Sequence, residues 1–221
     1  RHIFMPHFMT FFRAPGTSSN AFVCESFMDE LAALAGTDPV EFRLAHLGSD
    51  PLNERMRRAL VAVREDSGWD RPMRAGHARG VAVYAYGNAV CAMVIEVEQV
   101  DARVEVRRVF VCCEAGRLVN LDVSGSQVEG GVALGLSWAV YEHSKLADGI
   151  VENATLTGYH MMPPREAPDT VVRFLQEDEF RQGLNEIPPG LVAPALGNAL
   201  YALTGVRQRE LPLELQIAAD A

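Results

Sequence analysis

The stretch Gly183 to Gly205, GLNEIPPGLVAPALGNALYALTG, constrains this chain more than any other. Its first part is punctuated by Gly183, Pro188, Pro189 and Gly190, which excludes a regular element interior there. Its second part, Leu191 to Leu203, is apolar and rich in alanine, and Gly205 is placed to stop a helix. Glu186 is the only charged residue between Arg181 and Arg207. A lone carboxylate in a rigid loop, ahead of a nearly uncharged helix, sits on or inside protein. There it is suited to taking a proton near neutral pH. Residue types alone favour the plainer reading, an exposed loop carboxylate.

The 221 residues allow one large domain or two small ones, and 48% hydrophobic content is ample for a core. The net charge of −9, with no basic block, argues against nucleic acid as a main partner. No apolar run approaches a membrane span. The four cysteines include no C-x-x-C pair, which argues against a zinc or iron–sulfur site made by this chain alone. Adjacent Cys112 and Cys113 read as buried small hydrophobes. The start, RHIFMPHFMTFF, has neither an initiator Met nor a signal-peptide pattern. It reads as part of something longer, with the cytoplasm the first expectation for its location and the periplasm the second.

In chain order, residues 1–16 are rich in Phe and Met and end in Arg13-Ala14-Pro15-Gly16. An arginine leaving an apolar strand before a Pro-Gly turn is placed to meet an anion or a carbonyl; a structural salt bridge suits it equally. Asn20 to Gly36 reads as a helix with Val23, Phe27, Leu31 and Leu34 on one stripe, and with Glu25, Asp29 and Glu30, mostly off that stripe, as a solvated face or local ion pairs and not a metal site. Asp38-Pro39 opens a second helix, with Glu41 completing a capping box, and Asp50-Pro51 opens a third that runs to about Ser67. Gly68 to Gly80 reads as a linker. Val81 to Tyr84, Ala89 to Val97 and Val104 to Val111 read as strands, the last two forming a hairpin turned at Asp101. Asn120 to Trp138 reads as a helix in which Gly130, Gly131 and Gly135 permit close approach of another backbone or a ligand. Gln127 on that helix could serve a ligand's polar edge or bond its own backbone. Asp148-Gly149 is a turn between short strands, Asn153 to Tyr159 is extended, and Thr170 to Gln176 is a strand.

Seven stretches, in order, carry a resemblance: FFRAPG (11–16), ESFMDELA (25–32), DPVEFRL (38–44), EAGRLVN (114–120), SQVEGG (126–131), GLNEIPPGLVAPALGNAL (183–200) and TGVRQRELPL (204–213). Together they span nearly the whole chain. It resembles the C-terminal half of the large subunit of molybdenum hydroxylases, the xanthine dehydrogenase and aldehyde oxidase family, nearest the nicotinate-dehydrogenase-like and isoquinoline-oxidoreductase-like branches.

The resemblance implies a molybdenum held by a molybdopterin cofactor, with the cytosine dinucleotide as one form of it. A glutamate deprotonates a hydroxo ligand whose oxygen attacks an electrophilic carbon, and hydride passes to a sulfido ligand. It places Glu186 at the base and Arg13 at the substrate-orienting arginine. Gln127 falls beside the cofactor, and Gly116 and Asn120 on a cofactor-side turn. No residue of this chain is implied as a metal ligand.

There are departures from the family pattern. Asn185 stands where the family's G-x-G-E has its second glycine, Glu114 where an Asp is usual, and Leu121 where a Pro is usual. Ala14 stands where the copper-containing carbon monoxide dehydrogenases have cysteine.

The implied fold is α+β, an antiparallel sheet with packed helices in two lobes: a helical lobe with the arginine loop over 1–78, and a molybdopterin-side lobe with the glutamate loop over 79–221. The implied partners are the missing N-terminal molybdopterin-binding half and a subunit carrying iron–sulfur clusters. The implied substrate is an N-heteroaromatic or an aldehyde. The competing expectation is an inactive fragment or paralogue kept for packing and assembly.

Overall fold

The computed structural model describes residues 12–217. The Phe- and Met-rich run expected as a strand over 1–11 lies outside the described residues. Three helices come first: α1 (Thr17–Leu34), α2 (Pro39–His46) and α3 (Pro51–Ser67). A meander follows of β1 (His77–Tyr86), β2 (Ala89–Val100) and β3 (Arg103–Glu114), then α4 (Leu121–Leu136), which runs into a π-helical turn over Ser137–Tyr141. The short pair β4 (Leu146–Ala147) and β5 (Ile150–Val151), the strand β6 (Asp169–Phe174) and the helix α5 (Ile187–Thr204) complete it. The main sheet has the order β1-β2-β3-β6. Its first three strands are antiparallel, and β6 joins β3 in parallel after the long crossover through α4.

Both faces of the sheet are covered. Cys91, Met93, Ile95 and Val97 of β2 point to a core shared with Phe22 of α1, Val128, Val132 and Leu136 of α4, and α5. Val90, Ala92 and Val94 point the other way, to a core with Val40 of α2 and Leu60 and Val63 of α3. Strand alternation thus supplies two apolar faces, and the helical segment 17–67 contributes to both layers. The expected division at residue 78 falls within β1. Cys91, Cys112 and Cys113 are buried among these apolar side chains, and burial pushes the Cys112 thiol up to about 12.

The helix α5 is the centre of the molecule: every residue from Ile187 to Leu200 is buried. Its neighbours approach to backbone contact where side chains are missing. A Cβ on Gly80 of β1 would lie 2.1 Å from the Ala199 nitrogen, and one on Gly135 of α4 would lie 2.5 Å from the Pro189 carbonyl oxygen.

Several expectations are corrected. The Pro-Pro-Gly segment does enter a regular element, because α5 begins at Ile187 and its prolines fall within the first turn, where an N–H has no partner to lose. Glu41 pairs with Arg64 instead of reaching back to the cap, while Asp38 caps α2 through the Val40 and Glu41 N–H groups. Strand β1 starts at His77, inside the expected linker. Residues 153–159 form turns closed by Gly158 and Tyr159 N–H bonds to the Thr155 carbonyl, and not an extended segment.

The largest correction concerns α1. Val23, Phe27 and Leu34 are 66%, 56% and 85% exposed, while Glu25 and Asp29 are buried. The acidic residues turn inward because cations from elsewhere meet them. Arg43 Nε bonds Glu25 at 2.8 Å, and Arg207 bonds Asp29 at 2.8 Å. The Val83 N–H also donates to Glu25, and Arg207 reaches Asn198 of α5. Four of the seven resembling stretches, 25–32, 38–44, 183–200 and 204–213, meet in this buried cluster.

Candidate active site

Glu186 is the N-cap residue of α5, half-buried, at the point where the chain turns into the central helix. Its backbone N–H bonds the Gly183 carbonyl at 3.0 Å, and the Ile187 N–H bonds the same oxygen at 3.3 Å. Its carboxylate is held from two sides: the Ala14 N–H donates to Oε2, and the Asn185 side-chain amide donates to Oε1 at 2.6 Å. A glycine at 185 could not make the second bond, so the departure from G-x-G-E adds a donor to the carboxylate.

The Ala14 N–H is aimed by an unusual backbone. Ala14 is fully buried at φ 62°, a left-handed conformation that costs a non-glycine residue about 1–3 kcal/mol. Gly16 follows at φ 73° and lets the chain turn directly into α1. The loop is held from outside by Phe12, whose ring lies 4.6 Å from that of Trp138.

Arg13 is joined to Glu186 through their shared neighbour, its Nε donating to the Asn185 carbonyl at 2.8 Å. Its Nη2 is buried and, among the described residues, has no hydrogen-bond partner. That nitrogen lies 3.5 Å from where a Cβ on Gly131 of α4 would stand, so the glycine keeps the arginine's place open.

Gln127 lies one turn before Gly131 on α4, exposed and without a hydrogen bond among the described residues. Thus Arg13, Glu186 and Gly131 of α4 are brought to one region, with Gln127 one helical turn from Gly131. Gly116 and Asn120 are placed differently. Asn120 caps α4, its side-chain oxygen accepting the Val123 N–H at 3.0 Å. Gly116, at φ 71°, pairs with Phe180, and a Cβ there would lie 2.1 Å from the Glu179 carbonyl oxygen.

The sequence reading missed a second ionic cluster beneath the loop. Glu114, fully buried at the end of β3, is ion-paired to Arg55 of α3 and lies 3.3 Å from Arg181. Arg58 and Arg181 also hold Glu177 below the ordinary carboxylate value. The available signal was a carboxylate closing a long apolar strand, which has to find a cation inside the protein.

Comparisons with known proteins identify the family. A family model described as the molybdopterin cofactor-binding domain matches residues 22–168. The chain belongs to this family. It is 32% identical over 213 residues to the beta subunit of the isoquinoline 1-oxidoreductase of Brevundimonas diminuta, covering 94% of this chain and 27% of that protein. It is 34% identical over 222 residues to a subunit of the nicotinate dehydrogenase of Pseudomonas putida, covering 91% of this chain and 18% of that protein. The chain therefore spans about a quarter or less of the length of these relatives. The fold is shared with the aldehyde oxidoreductase of Desulfovibrio desulfuricans at TM-score 0.74 and 15% identity, covering 91% of this chain and 40% of that one.

The residues present fit one side of such a cofactor. A molybdopterin offers a ring edge of hydrogen-bond donors and acceptors and an anionic phosphate. Here the exposed Gln127 amide, whose side chain makes no hydrogen bond among the described residues, provides a matching group. A Cβ on Gly130 of α4 would meet nothing within 4 Å, which leaves the helix accessible one turn after Gln127.

Proposed function

We propose that this chain is the part of a molybdenum hydroxylase that carries its general base, Glu186, and its substrate-orienting arginine, Arg13. The observation that carries the reading is the pairing of a carboxylate fixed by the Ala14 and Asn185 donors with an adjacent guanidinium whose buried Nη2 has no partner among the described residues. The reaction is oxidation of an N-heteroaromatic or aldehyde carbon with oxygen derived from water. The isoquinoline and nicotinate enzymes among the relatives support the first substrate class, and the aldehyde oxidoreductase fold is compatible with the second.

When bound, the molybdenum cofactor supplies the oxidising centre and the oxygen nucleophile. Glu186 takes up the proton that this oxygen loses, at a carboxylate oxygen that keeps a lone pair beyond the one its donor occupies. The two donors stop the carboxylate from rotating away. Arg13 Nη2 donates to a carbonyl, carboxylate or ring nitrogen of the substrate, while the bond from Nε to Asn185 keeps substrate and base in register. Gln127 would hold the cofactor's polar edge, and Gly116 and Asn120 would lie on the cofactor-side turn ahead of α4. A partner subunit carrying iron–sulfur clusters would supply the exit for the electrons.

The rest of the site comes from protein outside this chain. Val119, Val123 and Phe180, near the start of α4, are 91%, 65% and 74% exposed, an apolar rim suited to being covered. The isolated 221-residue chain is therefore expected to purify with far less than one molybdenum per chain. Elemental analysis showing stoichiometric molybdenum in the isolated chain would overturn this. The functional reading is tested by assembling the chain with its molybdopterin-binding complement and an iron–sulfur partner. Reduction of the loaded assembly by N-heteroaromatics or aldehydes is expected. A fully loaded assembly reduced by neither class would make the chain an assembly domain.

Arg13→Lys in the loaded assembly is expected to lower kcat/KM about 10–10²-fold for substrates bearing an anionic or carbonyl group, the equivalent of one charge-assisted hydrogen bond. Substrates lacking such a group should lose much less. Equal losses across substrates, accompanied by loss of molybdenum, would make Arg13 structural.

A further inference from the structure

The segment leading into Glu186 has almost no secondary structure of its own, yet it is fastened along its length. The Arg117 N–H bonds the Glu179 carbonyl at 2.8 Å, and Gly116 bridges Phe180 beside it. The Asn88 N–H bonds the Gln182 carbonyl at 3.1 Å from the β1–β2 turn. Gly183, at φ 121°, lies against the Tyr86 carbonyl, where a Cβ would come within 2.3 Å. Its own carbonyl then receives the Glu186 and Ile187 N–H groups. The backbone that presents the Glu186 carboxylate is thus continuous with these fastenings.

Their common anchor is Arg181. Its guanidinium lies 3.3 Å from the buried Glu114, 2.7 Å from Glu177 and 3.1 Å from Glu179. One cation therefore ties the strand end to Glu177 and Glu179, two of the segment's three acidic residues. Arg55, the other cation on Glu114, is held independently: it also bonds the Asn88 carbonyl at 2.5 Å. Removing Arg181 leaves Glu114 paired with Arg55, so the loss falls on the loop and not on the core.

We propose that Arg181, seated on the buried Glu114, is a positioning residue for Glu186, fixing the backbone from which that carboxylate reaches its proton. The proposal rests on Glu186 being the base. Arg181 touches neither substrate nor cofactor in this role. Its effect appears as a rate, because a misplacement of about 1 Å in a catalytic group costs up to about 10²-fold.

The test uses the molybdenum-loaded assembly with Arg181→Gln, Arg181→Lys, Glu186→Gln and the double variant Arg181→Gln/Glu186→Gln. Two quantities are measured: single-turnover reduction by substrate, and amide hydrogen exchange. Arg181→Gln is expected to slow reduction about 10–10²-fold with KM and molybdenum content unchanged. Exchange at the Glu186 and Ile187 amides should speed up while β2 and β3 stay protected. Arg181→Lys keeps the charge but not the fork, and should fall between wild type and Arg181→Gln. The double variant should be no slower than Glu186→Gln alone, since a residue acting only through the base has nothing left to position.

A reduction rate for Arg181→Gln within twofold of wild type overturns the proposal. So does a double variant slowed by the product of the two single effects, or loss of protection in β2 and β3 together with the loop. If Arg181→Gln does not load molybdenum, Arg181→Lys carries the test: a severalfold slower rate supports the proposal, and the wild-type rate overturns it. A wild-type rate for Glu186→Gln instead removes the base assignment on which the proposal stands. A slow Glu186→Gln beside a normal Arg181→Gln removes this proposal alone.

Discussion

Glu186→Gln in the molybdenum-loaded assembly is expected to slow reduction by substrate about 10²–10⁴-fold, the usual cost of losing a general base. The variant isolates proton transfer because little else changes. Glutamine has the shape of glutamate, and its carbonyl can still accept the Ala14 N–H that Glu186 Oε2 accepts now. Its amide can donate to Asn185 once the Asn185 side chain turns over, so the second bond also survives. The start of α5 stays fastened, since the bonds to the Gly183 carbonyl come from backbone N–H groups. Molybdenum content and substrate affinity should hold, and the loss should fall on kcat. Glu186→Asp should recover little, because shortening the side chain by a methylene draws the carboxylate away from both the Ala14 N–H and the proton. Rapid mixing of enzyme with substrate, wild type against variant, is the measurement. A fully loaded Glu186→Gln assembly reduced within a few-fold of the wild-type rate would mean that Glu186 is a cap and a loop anchor, and nothing more.

The elements that local chemistry controls were legible in the sequence. Asp38-Pro39 and Asp50-Pro51 start α2 and α3, each aspartate accepting two backbone N–H bonds. The β2–β3 hairpin turns at Asp101, which has φ 54°, and Gly205 ends α5 at φ 73°. What the sequence hid depends on residues far apart in the chain. The apolar period of Val23, Phe27, Leu31 and Leu34 gave α1 correctly as a helix but pointed it the wrong way. A stripe that faces outward has the same period as one that faces a core. The orientation is set by Glu25 and Asp29, whose partners Arg43 and Arg207 lie 18 and 178 residues away. The parallel addition of β6 to β3 is hidden for the same reason, since nothing local in β6 records its neighbour.

The site divides along the same line. Glu186 stands out as a solitary carboxylate, and Arg13 as the arginine before a Pro-Gly turn; the resemblance gives them roles, and the structure joins them through Asn185. The donor on Glu186 Oε2 is a backbone N–H whose direction follows from Ala14 at φ 62°, and no residue type announces that. Glu114 with Arg55 and Arg181 is the reverse case. All three were visible as charged residues, but only the fold shows that a single buried carboxylate lies beneath the loop.

Arg43→Met is expected to destabilise the protein by about 3–5 kcal/mol, the cost of stripping one partner from a buried ion pair. Arg43 makes four contacts at one place: Nε to the Glu25 carboxylate at 2.8 Å, Nη2 to the Glu25 carbonyl at 2.8 Å, and Nη1 to the Pro39 carbonyl at 3.0 Å and to Asp29 at 3.6 Å. Methionine fills much of the volume, so cavity formation contributes little. The loss arises because the Glu25 carboxylate then stays buried with only the Val83 N–H, at 2.9 Å, to hold it. Asp29 keeps Arg207, so the damage is confined to Glu25. A fall of this size is about a fifth or more of the stability of an ordinary domain. Urea unfolding followed by the fluorescence of Trp69 and Trp138 would read it as a lower midpoint at unchanged slope. Adding Glu25→Gln to Arg43→Met should restore part of the loss, since the neutral amide needs no cation and its oxygen can still accept the Val83 N–H. Arg209→Ala provides the contrast: its pair with Glu30 is 67% exposed on the arginine side, and its loss should cost less than about 1 kcal/mol. If Arg43→Met costs no more than Arg209→Ala, the buried cluster does not hold α1 in place, and the inward turn of its acidic face needs another cause.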